Sequence, residues 1–435
     1  MPTVLALYPG TVTFRVQQVR RYRTILRDLG VRLVLADDFL TDDDREVFDE
    51  LVPMPPCDRV EEGQLVLERR FASGGLDAVL AQSESSLLLG SLLAQRLGLR
   101  GIRPEAALLT VSKFLCRRAL ERAGVRQPRF AIARSAADVR KFAREVDGPV
   151  VIKGTASALG RLVTLVRSDS EVDRAVERTL TALPAATDIV RLSSFARSAG
   201  IDLGYDPSLE FLVEAFAHGA PVETDGIVFG SEPISFGVTE QVLSKPPLFF
   251  MEGYLLPADR SSADIDEIER VSDAALAALG ISDTGYSIEM RLHEGRAAVI
   301  EVNGRLGWDA GFGDLFEIVA GSQPAFLCLQ ASLGVRPRIE RRSDVRCAVA
   351  YRSSYADGII ASLPSAAQMS ELEREGVMAG SAVHVGEHLH APPHPDASPH
   401  LGWALARHPS SSRAAYERAR AAVDRLRFEI EPARS

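Results

Sequence analysis

The chain has 435 residues, 46% hydrophobic and 25% charged, with 50 basic against 59 acidic side chains and a net charge of −9. That length gives room for about three domains with substantial cores, and the acidic balance argues against non-specific binding to nucleic acid while leaving space for a local basic cleft around phosphates. The longest apolar run, LLLGSLLA at 87–94, is far too short to span a membrane.

Cys57, Cys116, Cys328 and Cys347 are scattered without CxxC spacing, so they read as small core residues in a reducing compartment, neither a disulfide framework nor a zinc site. The N-terminus goes straight into a strand-like run with no basic, apolar leader, and a cytoplasmic location is expected.

Residues 4–8, VLALY, read as a buried strand, followed by a Pro9-Gly10 break and a helix in which Val19, Tyr22, Leu26 and Leu29 recur at helical spacing. VRLVLAD at 31–37 and LDAVLAQ at 76–82 are further strands, and a helix runs from Glu84 to about Leu97, stopped by Gly98. Strand and helix in alternation predict a parallel α/β domain over 1–108. The acidic segment 37–50 reads as a solvated loop and helix start. A helix over 111–124, strands at 129–133 and 149–153, and a capping box at Ser168–Glu171 before another helix make a small lobe over 109–209. Residues 184–208 have little periodicity and read as an irregular excursion. A larger sheet domain, 210–345, holds a strand at 210–216, a helix at 264–279 closed by Gly280, and a hairpin. A C-terminal α/β extension over 346–435 adds a strand at 346–352, a Pro/His-rich stretch and a helix at 411–426. The fold class is therefore mixed α/β (α+β).

The hairpin, YSIEMRLHEGRAAVIEVNGR at 286–305, carries the densest chemistry. Alternation about a turn at Glu294-Gly295 puts Ser287, Glu289 and Arg291 on one face of the first strand, and Glu301, Asn303 and Arg305 on one face of the second. An odd-length loop centred near Gly295 would set Glu289 opposite Glu301. Two carboxylates and an amide oxygen would then converge, which suits a hard divalent cation; a solvated face with cross-strand Glu–Arg pairs is the alternative. Lys153 ends an apolar strand before the small-residue loop GTASALGR, where ammonium and backbone N–H groups could both reach a phosphate, or where an ordinary turn carries a surface lysine. Lys113 is either a second such lysine or a solvated helix residue. Glu214, in FLVEAF, either has a specific partner or faces solvent at an edge. Five histidines fall in 384–400, where the intervening prolines exclude a helix presenting them on one face; a polar loop is expected in preference to a transition-metal site.

Taken in order, these stretches resemble the ATP-grasp superfamily, and within it the carboxylate–amine ligases that include bacterial L-amino acid ligases. The likeness covers about residues 75–430, and IEMRL with EVNGR is its most specific part. It implies an N-terminal parallel α/β domain, a small lid lobe and a larger antiparallel-sheet domain. It further implies that Lys113, in a helix with Ser112 where aspartate is usual, and Lys153 contact ATP phosphates. The loop 154–163 with Gly160 would close over them, and Glu214, Ala215 and Phe216 would form the adenine hinge. The ribose-binding glutamate of the family falls at Pro221, with Glu223 the nearest substitute. Glu289, Glu301 and Asn303 would hold two magnesium ions, for which manganese can substitute, and Arg305 with Arg291 would serve the transferred phosphoryl group. Glu84, Glu252, Tyr254 and Trp308 would line the amino-acid pocket, although Tyr254 stands where histidine is common and Gln241 where lysine is frequent. The implied reaction joins a small carboxylate and an amine, an amino acid or peptide, through an acyl-phosphate; no nucleic-acid or membrane partner is implied, and a homodimer is compatible with it.

Overall fold

The computed structural model describes the chain except residues 10–14, 16–18, 20–25, 27–29, 158–159, 161, 246–248, 308, 341, 343, 392–398 and 433–435. The first sheet is parallel throughout. Thr3–Leu7 lies between Arg32–Asp37 and Ala78–Leu80, with Glu50–Pro53 at the edge beside Arg32–Asp37. Its strands are apolar on both faces because both are covered. Tyr22 and Leu29 of the expected first helix lie outside the described residues; Arg15, Val19 and Leu26 are helical. The acidic segment departs from the solvated reading. Asp44, in the helix Asp42–Val47, is fully buried and receives Arg15 Nε at 2.7 Å and Nη2 at 2.6 Å. Arg15 also lies 3.1 Å from Asp37, so this buried charge is compensated, as a buried carboxylate must be.

A second, antiparallel sheet has the order Phe130–Ala133, Phe211–Ala215, Val150–Gly154, Val163–Val166. The helices Ala136–Val146 and Asp169–Ala182 pack on it through Val139 and Phe142, and through Val172, Ala175 and Val176. At the start of Asp169–Ala182 the expected capping box does not form. Glu171 accepts the amide of Arg167 at 2.6 Å, and Ser168 Oγ bonds Ser170 Oγ. The supposed excursion over 184–208 contains a helix, Thr187–Ala199, which buries Ile189, Leu192, Phe195 and Ala196 and stops at Gly200 with φ 65°. Polar Ser and Arg residues interleaved on the same turns hid its apolar stripe.

The third sheet has eight strands in the order Arg296–Asn303, Thr284–His293, Ala220–Phe229, Glu232–Leu243, Met251–Leu256, Arg346–Ser353, His400–His408, Met378–Ser381. It runs without interruption across position 345, so strands of the C-terminal segment complete the sheet that the hairpin begins. Its neighbouring strands are antiparallel. Helix Ser262–Leu279 covers the hairpin end and helix Ser412–Val423 the C-terminal end. A small sheet of His388–Leu389, Gly358–Ser362 and Glu429–Glu431 hangs beyond it. Among the described residues no helix is long and apolar enough to cross a membrane.

Candidate active site

The hairpin turns as its sequence indicates, but by a different route. Glu294 and Gly295 adopt φ 50° and 70° and form a two-residue turn between His293 and Arg296, the left-handed pair that suits right-twisted strands. From that turn alone, Glu289 would face Ile300, and Glu301 would be sent to the opposite face. The ladder instead slips by one residue between Glu289 and Met290: Met290 pairs with Val299, while Glu289 pairs with Glu301 and Ser287 with Asn303. Ile300 is the extra residue of a β-bulge, which returns Glu301 and Asn303 to the face of Glu289. The expected pairing is present; the odd-length loop invoked for it is not.

Arg117 holds this bulge. It is 2% exposed and donates from Nη1 to the Val299 carbonyl at 2.8 Å and from Nη2 to the Ile300 carbonyl at 2.7 Å. Its Nε donates to Glu214 Oε1 at 2.5 Å, and the other oxygen of Glu214 lies 2.7 Å from Lys153 Nζ. Burial alone would push the Glu214 carboxyl up; Arg117 and Lys153 outweigh it and hold the group down to about 2. Glu214 thus has the specific partner that the strand pattern left open. The amides of Ala215 and Phe216 donate to the Arg129 and Pro149 carbonyls, so a purine edge at this hinge would meet carbonyl oxygens or the residues that follow.

Lys113 opens the helix Lys113–Arg122, separated from Pro104–Val111 by extended, buried Ser112, whose hydroxyl caps the Leu115 amide. The helix expected over 111–124 thus spans Lys113–Arg122, and the break before it sets Lys113 at its first turn, beside the hairpin. Its Nζ lies 2.6 Å from Glu301 Oε1, and its amide donates to the Thr155 carbonyl just beyond Lys153. Burial pulls the ammonium's proton affinity down, but Glu301, Glu84 and Glu289 raise it overall. Both expected phosphate lysines therefore border the carboxylate face. Gly160 has φ 69°, but the loop around it lies partly outside the described residues.

The adjacent strand extends the acidic face. Glu223 pairs with Glu289 and Asp225 with Ser287. Glu223 accepts Gln241 Nε2 at 2.8 Å and Ser287 Oγ at 2.5 Å, which places it among the carboxylates; Pro221, two residues back on the same strand, pairs with Arg291. Its neighbours are those of a member of the carboxylate cluster. Burial, with the facing Glu301 and Glu223, pushes the Glu289 carboxyl up to about 8. Burial likewise raises Glu223 to about 7 against its two hydrogen bonds. Asp225 is fully buried, and neither oxygen has a hydrogen-bond partner of ordinary geometry among the described residues. Burial and Glu223 drive it well above the usual range, against the Gly307 amide and Arg305. The spacing of Glu223 and Asp225, two apart on one strand, is the signal that could have found Asp225 in the sequence.

Arg305 donates to Glu84 Oε1 from Nε at 2.9 Å and Nη2 at 2.6 Å. The expected substrate contact Glu84 thus anchors the arginine, while its backbone carbonyl takes Arg191 Nη1 at 2.6 Å. Tyr254 donates to Asp309 at 2.6 Å and stacks on Phe312 at 4.1 Å; nothing in the sequence marked Asp309. Glu252 lies on the strand Met251–Leu256 at half-buried exposure, and Arg291 is half-buried beside Glu289. Trp308 is outside the described residues.

Residues 110–191 match the RimK-like ATP-grasp domain family. The chain is 28% identical over 309 residues to the uncharacterized protein y4rH of Sinorhizobium fredii, covering 68% of this chain and 59% of that protein; it spans well under two thirds of that relative's length. The L-amino acid ligase of Bacillus licheniformis superposes with a TM-score of 0.77 at 18% identity, covering 99% of both chains. Phosphoribosylglycinamide synthetase of Anaerococcus prevotii gives 0.69 at 13% identity, covering 99% of this chain and 100% of the other. The biotin carboxylase domain of Hydrogenobacter thermophilus 2-oxoglutarate carboxylase, solved with MgADP and bicarbonate, gives 0.68 at 15%, covering 98% and 90%. The family match thus falls on the segment that carries Lys113 and Lys153, and the chain has the ATP-grasp fold of these structures from end to end.

Proposed function

We propose that the protein is an ATP-dependent ligase that joins a small carboxylate to an amine, an amino acid or peptide, through an acyl-phosphate, releasing ADP and phosphate. The observation that carries this reading is the bulge-restored face of Glu289, Glu301 and Asn303, bordered by Lys113 and Arg305. The structural relatives support it: one is named an L-amino acid ligase and another holds MgADP.

The donor set is all oxygen and rich in negative charge, so it fits a hard divalent cation and not a thiolate- or imidazole-preferring one. Glu289, Glu301 and Asn303 would hold magnesium, two ions by the family pattern, which when bound supplies charge neutralisation for the ATP phosphates. The chain's own residues do the rest. Lys113 and Lys153 offer ammonium donors to phosphate oxygens, each seated on a carboxylate, Glu301 or Glu214, that fixes its position. Arg305, clamped by Glu84, stands ready for the charge of the transferring phosphoryl group. The substrate carboxylate oxygen bonds to the γ-phosphorus as the bond to ADP breaks. The amine nitrogen then bonds to the acyl carbon, losing a proton as phosphate departs. Such chemistry asks mainly for positioning and charge compensation.

Carboxylate substrate labelled with heavy oxygen tests the route. One labelled oxygen becomes the bridge of the acyl-phosphate and leaves with phosphate, so labelled inorganic phosphate is expected with productive acid and amine pairs. Unlabelled phosphate would return the chain to simple ATP hydrolysis.

A further inference from the structure

The histidine-rich segment, expected to be a polar loop, is partly a strand, and that changes what it can do. His388–Leu389 pairs antiparallel with Gly358–Ser362, Leu389 opposite Gly358 and His388 opposite Ile359. Leu389 is 4% exposed and packs with Ile360 and Leu401. Since successive side chains of a strand alternate, burying Leu389 turns His388 and His390 to the same outer side. Their rings lie 4.2 Å apart. Asp357, the residue before Gly358, completes the group: its Oδ1 is 3.9 Å from His390 Nδ1, and one donor atom from each of the three residues lies within 4.8 Å of the others. Among the described residues this is the one trio of His, Cys, Asp or Glu drawn so close. The Ala391 amide donates to the same Asp357 oxygen at 3.2 Å, an outer contact of the kind that orients a ligating carboxylate.

We propose that Asp357, His388 and His390 form a binding site for a zinc-class divalent cation, separate from the carboxylate face of the active site. Bonds of about 2.0–2.1 Å in a tetrahedral shell put donor atoms about 3.3 Å apart. The trio therefore needs a contraction of up to about 1.5 Å, which two exposed side chains and one half-buried one can make by rotation. Two imidazoles and one carboxylate select zinc, cobalt, nickel or copper over magnesium or calcium. Three protein ligands leave the fourth position to water or to a group from outside. The bound cation would clip the start of Gly358–Ser362 to a partner strand only two residues long, and a ligand that binds the folded state stabilises it. The nearby pair His384 and Glu387, 2.8 Å apart, lies outside the trio and serves as a control.

The test uses the full chain, stripped with a chelator and titrated with Zn2+ and, for its visible spectrum, Co2+. Saturable uptake of one equivalent with a rise in melting temperature is expected. His388→Asn and His390→Asn should each weaken that uptake at least about tenfold, whereas His384→Asn and the active-site change Glu289→Gln should leave it intact. Absence of saturable uptake by the unmodified chain would overturn the proposal. So would uptake that persists in the double variant His388→Asn/His390→Asn with the fold unchanged by circular dichroism. Loss in Glu289→Gln with retention in the histidine variants would assign the binding to the active site and equally overturn it.

Discussion

Arg305 keeps its charge in a buried place because Glu84 accepts two of its hydrogen bonds. In the proposed role Arg305 contacts the transferring phosphoryl group, and Arg305→Ala should then lower turnover by on the order of 10²–10³ with little change in ATP affinity, because such a contact strengthens only as charge develops. Glu84→Gln keeps the shape but loosens the clamp. It should cost less, and combined with Arg305→Ala it should add almost nothing, since the two act as one unit; steady-state kinetics of the four proteins checks this. Glu214 makes a prediction about pH. Its carboxyl, ordinarily near 4.5, is held down to about 2 in the folded chain. The stabilisation is present in full above about 4.5 and is lost as pH falls towards 2, amounting to about 3 kcal/mol. Urea unfolding of the unmodified chain and of Glu214→Gln at several pH values should show their stability difference narrowing across that interval. A constant gap would mean that Glu214 is not the group being protonated.

The hairpin is the element on which the site depends, and its bulge is held from outside it. Arg117 satisfies two bulge carbonyls and one oxygen of Glu214 with a single guanidinium, so it ties the register of Glu301 to the anchor of Lys153. Arg117→Met leaves Glu214 with Lys153 as its one cation and the bulge carbonyls short of donors. Removing one partner of a buried pair costs about 3–5 kcal/mol, and urea unfolding should register a loss of that order. The proposed role adds a second readout: the magnesium concentration for half-maximal turnover should rise in Arg117→Lys, which keeps the charge but not the fork that spans two carbonyls. An unchanged magnesium requirement in a folded Arg117→Lys protein would confine the residue to stability. The turn and the two strands were legible in the alternating pattern about Glu294-Gly295. The bulge was not, because an extra residue leaves no mark in a local pattern until the partner strand fixes the register.

Across the whole molecule, the carboxylate face on the eight-stranded sheet meets Lys113 from a helix through Glu301, while Lys153, paired with Glu214 inside the small four-stranded sheet, acts on Glu289 through its charge. A site that admits ATP and then excludes water is expected to close. Hydrogen exchange should show the strands Val150–Gly154 and Val163–Val166 gaining protection when ATP and magnesium are added. Equal protection with and without nucleotide would argue against closure of this lobe. The sequence by itself determined the strands of the parallel N-terminal unit, the hairpin and which of its side chains share a face, because periodicity is a local property of the chain; it left open whether Lys113 and Lys153 were more than surface lysines. It did not determine that Asp44 is buried under Arg15, that Glu84 serves Arg305, or that His388 and His390 flank Asp357. Each of those depends on residues tens to hundreds of positions apart, and on whether a buried charge finds its partner, which only the packing of separate elements decides.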